Sequence, residues 1–326
     1  MTVIDVHTHM LNEAWLNLLQ EHGGNYTLNQ VPSGKRVVHY AGSPFMTLTP
    51  GMTDYPLRIA KMDEAGVDVA VVSLTCPNVF WGEPEISAAA ARGTNQDMAA
   101  AQAEYPNRIR WLASLPWQFP DLAIQELERS CDEGAVGVMV LANIAGDSLT
   151  NPRFERVWAE IDRRALPVLV HPTAPPGIRS MEMERYHLAW SVGFTFDTTL
   201  ALARMILDGF FDRYPNLKII GGHAGGYLPF LLPRLDEGFR KIESTRESIE
   251  KLPSSYASKI YVDSIAYSVP TLEFTVAAFG PQNVLYGSDY PHNVGDMAGG
   301  LDRVDALPRG TAAAIRSENA ARIFNL

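Results

Sequence analysis

The sequence predicts a closed (β/α)8 barrel, and three observations carry that expectation. Eight short apolar or β-branched runs recur along the chain, helical stretches fall between them, and no Gly/Pro/Ser-rich linker breaks the series. A length of 326 residues suits one such barrel. No GxGxxG motif follows a strand, which argues against two doubly wound nucleotide-binding halves. The expected organisation is one domain over residues 1–326.

The strands are read at 3–7, 67–74, 109–115, 135–141, 166–171, 217–222, 259–263 and 283–288. Most are apolar at consecutive positions, the pattern of an all-parallel sheet covered on both faces. Helices are read between them at 55–65, 83–105, 121–133, 151–164, 197–214, 227–241, 271–279 and 311–324. Asp121 and Asn151 stand as N-caps, Pro152 takes a first helical position, and Gly66 reads as a C-cap feeding the second strand. One connection is uneven. Residues 12–22 read as an extra helix, and 23–52 are rich in Gly, Pro, Ser, Thr and Asn, too long a stretch for a plain connection. Leaving the C-terminal end of the first strand, the 12–52 insertion lies over the barrel mouth, where it could form a lid, a substrate wall, a structural flap or a subunit contact.

Charge and cysteine usage narrow the function classes. Lys and Arg total 27 against 37 Asp and Glu, a formal charge of −10 with no basic run, so the cationic footprint of a nucleic-acid partner is missing. The opening Met-Thr-Val-Ile-Asp lacks the basic and apolar regions of a signal peptide, and the apolar run 67–74 is strand-length and contains Asp68. Cys76 and Cys131 are too few for a disulfide framework and are not spaced as metal ligands. A cytoplasmic protein without a membrane span is expected.

Barrel chemistry sits at the C-terminal strand ends. Here strand one ends on His7-Thr8-His9, strand five on His171, strand six on Gly221-Gly222-His223-Ala224-Gly225-Gly226, and strand eight runs into Ser288-Asp289-Tyr290-Pro291-His292. A strand period of two places His7 and His9 on one face, within reach of one ion. Imidazoles suit Zn, Fe, Co or Mn, and Asp289 would complete a mixed nitrogen and oxygen site. His22, His39 and His187 read as surface or capping residues. His292, three residues past Asp289, reads equally as pocket lining or exposed surface.

These motifs resemble the amidohydrolase superfamily, and within it the branch of aminocarboxymuconate-semialdehyde decarboxylase and related nonoxidative decarboxylases. The resemblance is carried by Ile4-Asp5-Val6-His7-Thr8-His9, Leu169-Val170-His171-Pro172, the Gly221–Gly226 segment and Gly287-Ser288-Asp289-Tyr290-Pro291. It extends through Arg58–Asp68, Gly209–Pro215 and Asn319–Phe324, leaving only 23–52 uncovered. The resemblance implies that His7, His9, His171 and Asp289 hold one divalent ion, usually zinc and in some members manganese. It casts His223 as the acid/base residue and Asp289 as a ligand that also handles protons. The fourth strand offers no lysine for a bridging carbamate, so a mononuclear site is expected.

The implied activity is metal-dependent nonoxidative decarboxylation of a hydroxylated aromatic or unsaturated carboxylic acid. The alternative is a hydrolase or hydratase acting on an amide, lactone or enol-type acid, because the ligand set alone serves both reactions. A substrate-carboxylate arginine of the muconate-semialdehyde enzymes has no counterpart in Ser43-Pro44-Phe45-Met46-Thr47-Leu48-Thr49. Arg234 matches a family arginine that reaches a neighbouring subunit's site, implying a homodimer or higher homo-oligomer. Phe80, Trp81 and Trp190 are read as flat walls for the substrate ring.

Overall fold

The computed structural model describes residues 2–326. Eight parallel strands pair in chain order: Ile4–His9 (β1), Val69–Ser73 (β2), Ile109–Ser114 (β3), Gly137–Leu141 (β4), Pro167–His171 (β5), Lys218–Gly221 (β6), Ile260–Asp263 (β7) and Val284–Leu285 (β8). The Val6 amide donates to the Tyr286 carbonyl at 3.0 Å, and Thr8 bridges to Tyr290, so the last strand closes onto the first. With helices outside, this is the (β/α)8 TIM barrel that the sequence predicts.

Two apolar layers hold it. Inside, Ile4, Val6, Val71, Leu112, Met139, Leu141, Leu169, Ile220 and Leu285 fill the lumen, and Ala320, Ile323 and Phe324 of the last helix join them. That helix, Asn319–Phe324, packs against β1 and β8 and seals the barrel beside Ile4, at the end away from the mouth. Outside, the opposite faces of the strands meet the helices through large side chains such as Trp111, Trp117, Trp158, Phe154 and Phe210. Each fully buried side chain of this size contributes roughly 1.5–3 kcal/mol of transfer free energy, which makes the strand frame the rigid part of the molecule.

Local chemistry sets most element ends. Asp54 accepts from the Leu57 amide to start the helix Tyr55–Ala65, and Gly66 in the left-handed conformation ends it, as expected. Asn12 caps the helix Glu13–His22 by accepting from the Trp15 amide, and Asn151 caps the short turn Pro152–Phe154. Asp121 departs from expectation. The helix starts at Pro120 with Phe119 in the cap position, and Asp121 lies one residue inside, bonded to Arg156 at 2.6 Å. A carboxylate in a first helical turn is stabilised there by the unsatisfied amides without acting as a cap.

The expected helix 197–214 divides into Phe194–Leu207 and Phe210–Arg213 at Gly209, whose φ is +69°. A Cβ there would stand 2.4 Å from the Ser248 carbonyl oxygen, so chain crowding and backbone sign both require glycine. The helix Met297–Asp305 was not read from the sequence, and a π-turn over Ala314–Glu318 divides the expected 311–324 helix.

The insertion is more regular than its composition suggested. Tyr26–Gln30, Arg36–Tyr40 and Ser43–Thr47 form a three-stranded antiparallel sheet. Tyr26 and Tyr40 face each other across it with ring centroids 4.8 Å apart, and Phe45 packs edge-on to Tyr26. Cross-strand aromatic pairs of this kind outweigh the turn-rich composition.

Candidate metal centre

A bulge in β1 aims the site. Ile4 and Val6 point into the lumen, and continued alternation would turn Thr8 inward; the register with β2 instead shifts between Asp5 and Thr8. The added residue changes the phase of the pleat, and His7 and His9 face the axis. Their ring centroids lie 5.0 Å apart, and each is within 5.0 Å of His171 from the end of β5. Asp289, with its backbone held in the left-handed region at φ +58°, reaches over from beyond β8. Its amide donates to the His7 carbonyl at 2.9 Å, which ties the carboxylate to the strand carrying the imidazoles. Gly287 makes this approach possible, because a Cβ there would meet the Cβ atoms of His7 and Asp263 at about 3 Å.

His7, His9, His171 and Asp289 each offer one ligand atom, all within 4.8 Å of one another and all on buried residues. Hydrogen bonding selects the tautomer of each ring. The Nδ1 atoms face Asp263 Oδ2 at 2.6 Å, the Leu74 carbonyl at 3.2 Å and the Pro172 carbonyl at 2.7 Å for His7, His9 and His171 respectively. A proton on each Nδ1 leaves each Nε2 as a lone-pair donor. Nε2 of His7 and of His9 and Oδ1 of Asp289 are buried without any hydrogen-bond partner. Three orphaned electron-pair donors converging on buried residues fit a divalent cation, which would satisfy all of them.

Electrostatics agree for two of the three imidazoles, while for His7 burial is outweighed by the hydrogen bond and charge of Asp263, which raise the ring above its ordinary value. Burial pushes the His9 imidazole down to about 3 and His171 well below its ordinary range, so both stay neutral, as ligands must. Burial alone would raise Asp289, but the imidazoles of His223 and His9 beside it outweigh burial and hold the carboxyl well below the usual range. His223 approaches from a sharp turn after β6, with His223 and Ala224 both at positive φ. Its Nε2 lies 3.5 Å from Asp289 Oδ2, and its Nδ1 is buried without a partner.

A cavity of about 520 Å³ opens above this cluster. His171, His223 and Asp289 form its floor; Pro44, Phe45, Met46 and Thr47 of the insertion sheet form one wall, and Trp190, Ser191 and Phe194 the other. His292 lines it, with Nε2 3.0 Å from Thr75 Oγ1, which resolves its open reading in favour of pocket lining. Trp190 also lines it, as expected. Phe80 and Trp81 do not. They face a neighbouring cavity beneath the insertion, where the Trp81 indole donates to the Asn78 carbonyl at 2.8 Å and packs against Trp15. The chain turns away from the metal after Cys76, so these rings brace the insertion instead. Arg234 is exposed on the helix Leu228–Lys241 and lines none of the described cavities.

Two residues behind the ligands were not read from the sequence as functional. Asp263, at the end of β7, is fully buried and bonds His7. Arg58 is also fully buried; it donates to Thr8 Oγ1 at 2.7 Å and to the His9 carbonyl, and its guanidinium lies 4.9 Å from the Tyr290 ring centroid. The signal available for Asp263 was its place, a carboxylate closing the seventh strand in line with the others. Arg58 gave no chemical signal; it lay on a predicted helix and opened the Arg58–Asp68 segment that shares the family resemblance.

Comparison with known proteins agrees with the barrel fold. The family model described as amidohydrolase matches residues 4–326. The 2-amino-3-carboxymuconate-6-semialdehyde decarboxylase of Dictyostelium discoideum is 33% identical over 303 residues, covering 91% of this chain and 84% of the relative. The solved 5-carboxyvanillate decarboxylase of Sphingomonas paucimobilis superposes with a TM-score of 0.86 at 26% identity, covering 100% of this chain and 99% of that one. The dihydroxybenzoic acid decarboxylase of Polaromonas sp. JS666, solved with bound manganese and the inhibitor 2-nitroresorcinol, superposes with a TM-score of 0.83 at 24% identity, covering 100% and 97%. The chain belongs to the amidohydrolase family.

Proposed function

We propose that this chain is a metal-dependent nonoxidative decarboxylase of a hydroxylated aromatic or unsaturated carboxylic acid. The observation that carries the reading is the meeting of a three-histidine, one-carboxylate cluster with a largely apolar cavity walled by Phe45, Trp190 and Phe194. Decarboxylase relatives at 33% and 26% identity support the reaction class. One divalent ion held by His7, His9, His171 and Asp289 would bind the substrate carboxylate with a neighbouring oxygen and stabilise the electron density left as carbon dioxide departs.

The chain's own residues supply the rest. Phe45 and Trp190 sandwich the ring and exclude water, and His292 lines the same pocket. When the carbon–carboxyl bond breaks, its electron pair stays on the ring carbon, which must gain a proton. His223 and Asp289, 3.5 Å apart on the cavity floor, form the pair that delivers it. Zinc is the proposed ion because imidazole-rich sites suit it, with manganese, held by the Polaromonas neighbour, as the competing occupant.

The remaining parts of the reading are architectural. The chain works as one domain, with the 12–52 insertion walling the mouth. It assembles as a homodimer or higher homo-oligomer in which Arg234, exposed beside Phe230, serves a neighbouring subunit. A cytoplasmic setting accords with two unpaired cysteines, and among the described residues no helix is long and apolar enough to cross a membrane.

The test is a screen of hydroxybenzoates, picolinate-related acids and small lactones or amides with metal-loaded protein in deuterated and in oxygen-18 water. A decarboxylase releases carbon dioxide and places one deuterium on the product carbon. Solvent oxygen appearing in the organic product, with no carbon dioxide released, would identify a hydrolase and overturn the reading.

A further inference from the structure

The geometry points to Asp263 as a positioning residue that locks the metal ligand His7 and the acid/base residue His223 to a single carboxylate. Four donors converge on it. Oδ2 accepts from His7 Nδ1 at 2.6 Å and from the His223 amide at 2.8 Å, while Oδ1 accepts from the Ala224 amide at 2.8 Å and the Ile265 amide at 3.0 Å. The residue is fully buried, so no water replaces any of them.

Each bond has a distinct consequence. The one to His7 keeps the proton on Nδ1 and presents Nε2 toward the other ligand atoms. The two to His223 and Ala224 hold successive residues at φ +53° and +57°, a conformation that costs non-glycine residues energy and persists only where the surroundings impose it. A carboxylate receiving two adjacent amides imposes it here. The turn aims the His223 side chain at Asp289, so the orientation of a ligand and the placement of the acid/base group share one anchor.

The pattern also dictates which substitution is informative. Both oxygens of Asp263 face a backbone amide, so an asparagine, in either orientation, presents its NH2 group to an N–H donor. Asp263→Asn therefore cannot keep the network, although it changes neither size nor backbone. If the amide nitrogen turns toward His7, it donates to Nδ1, drives the ring proton to Nε2 and removes the metal-facing lone pair.

This inference rests on the metal-centre reading, and the experiment separates the two. Cobalt(II) is titrated into metal-free wild type and Asp263→Asn, following the visible ligand-field spectrum, and amide exchange of wild type is compared with and without a chelator. We expect wild type to bind one equivalent, and Asp263→Asn to bind roughly 10–100-fold more weakly with an altered spectrum. Chelation is expected to speed exchange at the His223, Ala224 and Ile265 amides together, although none of these belongs to a ligand. Wild type that binds no cobalt would refute the metal centre itself. An Asp263→Asn protein with unchanged affinity and spectrum, or wild-type amides at these three positions indifferent to chelation, would overturn the coupling alone. The exchange measurement needs no variant and decides the case if Asp263→Asn does not fold.

Discussion

His223 Nε2 stands 3.5 Å from Asp289 Oδ2, while Asp289 Oδ1, 3.3 Å from His9 Nε2, faces the ligand imidazoles. The two oxygens of one carboxylate thus serve different partners, one toward the ligand imidazoles and one toward the histidine proposed to handle the proton. This division separates loss of metal from loss of chemistry in the variants below.

Replacing His223 by Asn should leave metal bound and depress turnover by roughly 10²–10⁴, the range for an acid/base group. Metal analysis beside kcat is the check. Concurrent loss of the ion would show that His223 is a ligand.

His171→Ala or Asp289→Ala should cost both metal and activity. Elemental analysis of wild type should find close to one equivalent of divalent ion, because the strand Gly137–Leu141 holds no lysine to bridge a second. Two equivalents in active protein would contradict the mononuclear site.

Trp190→Ala and Phe45→Ala each remove a wall of the cavity above the metal and should raise KM about tenfold, the value of roughly 1–1.5 kcal/mol of lost aromatic contact. Trp81→Ala should instead lower the Tm and leave KM nearly unchanged, since its ring supports the insertion. An effect on KM from Trp81→Ala as large as that from Trp190→Ala would mean that the neighbouring cavity holds the substrate.

Arg58→Met should destabilise the fold, because the His9 carbonyl and Thr8 hydroxyl lose a buried donor at a cost of about 1–3 kcal/mol each. Arg58→Lys should recover only part, since an ammonium lacks the planar fork that spans both acceptors. Chemical denaturation of the three proteins tests this, and equal stability of wild type and Arg58→Met would refute it.

Asp197 gives a pH prediction away from the ligands. Burial pushes its carboxyl up to about 6, against hydrogen bonds from the Thr173 amide and the Asn143 side chain. A folded pKa above the unfolded value means that the native state holds its proton more tightly. The stabilisation is present in full below about 4 and is lost as pH rises through 6, by up to about 3 kcal/mol. Asp197→Asn carries no such term, so its stability should gain on wild type between pH 4 and pH 7. Parallel urea midpoints across that range would exclude the effect.

The sequence by itself determined the barrel and the identity of its chemistry. Runs apolar on both faces announce parallel strands, and strand ends are where a barrel keeps its polar side chains, so His7, His9, His171, His223 and Asp289 could be read in place. Tertiary structure decided which way they face. The bulge between Asp5 and Thr8 arises from pairing with β2, and alternation within β1 alone would have sent Thr8 inward. Asp263 and His7 lie 256 residues apart and meet only because closure of the barrel seats the eighth strand against the first and so brings the end of the seventh within reach of it. Phe80 and Trp81 show the converse, since adjacency to a strand end did not place them on the cavity. Local sequence carries periodicity and residue chemistry; register and strand closure are properties of the assembled sheet, and they select which residues share a site.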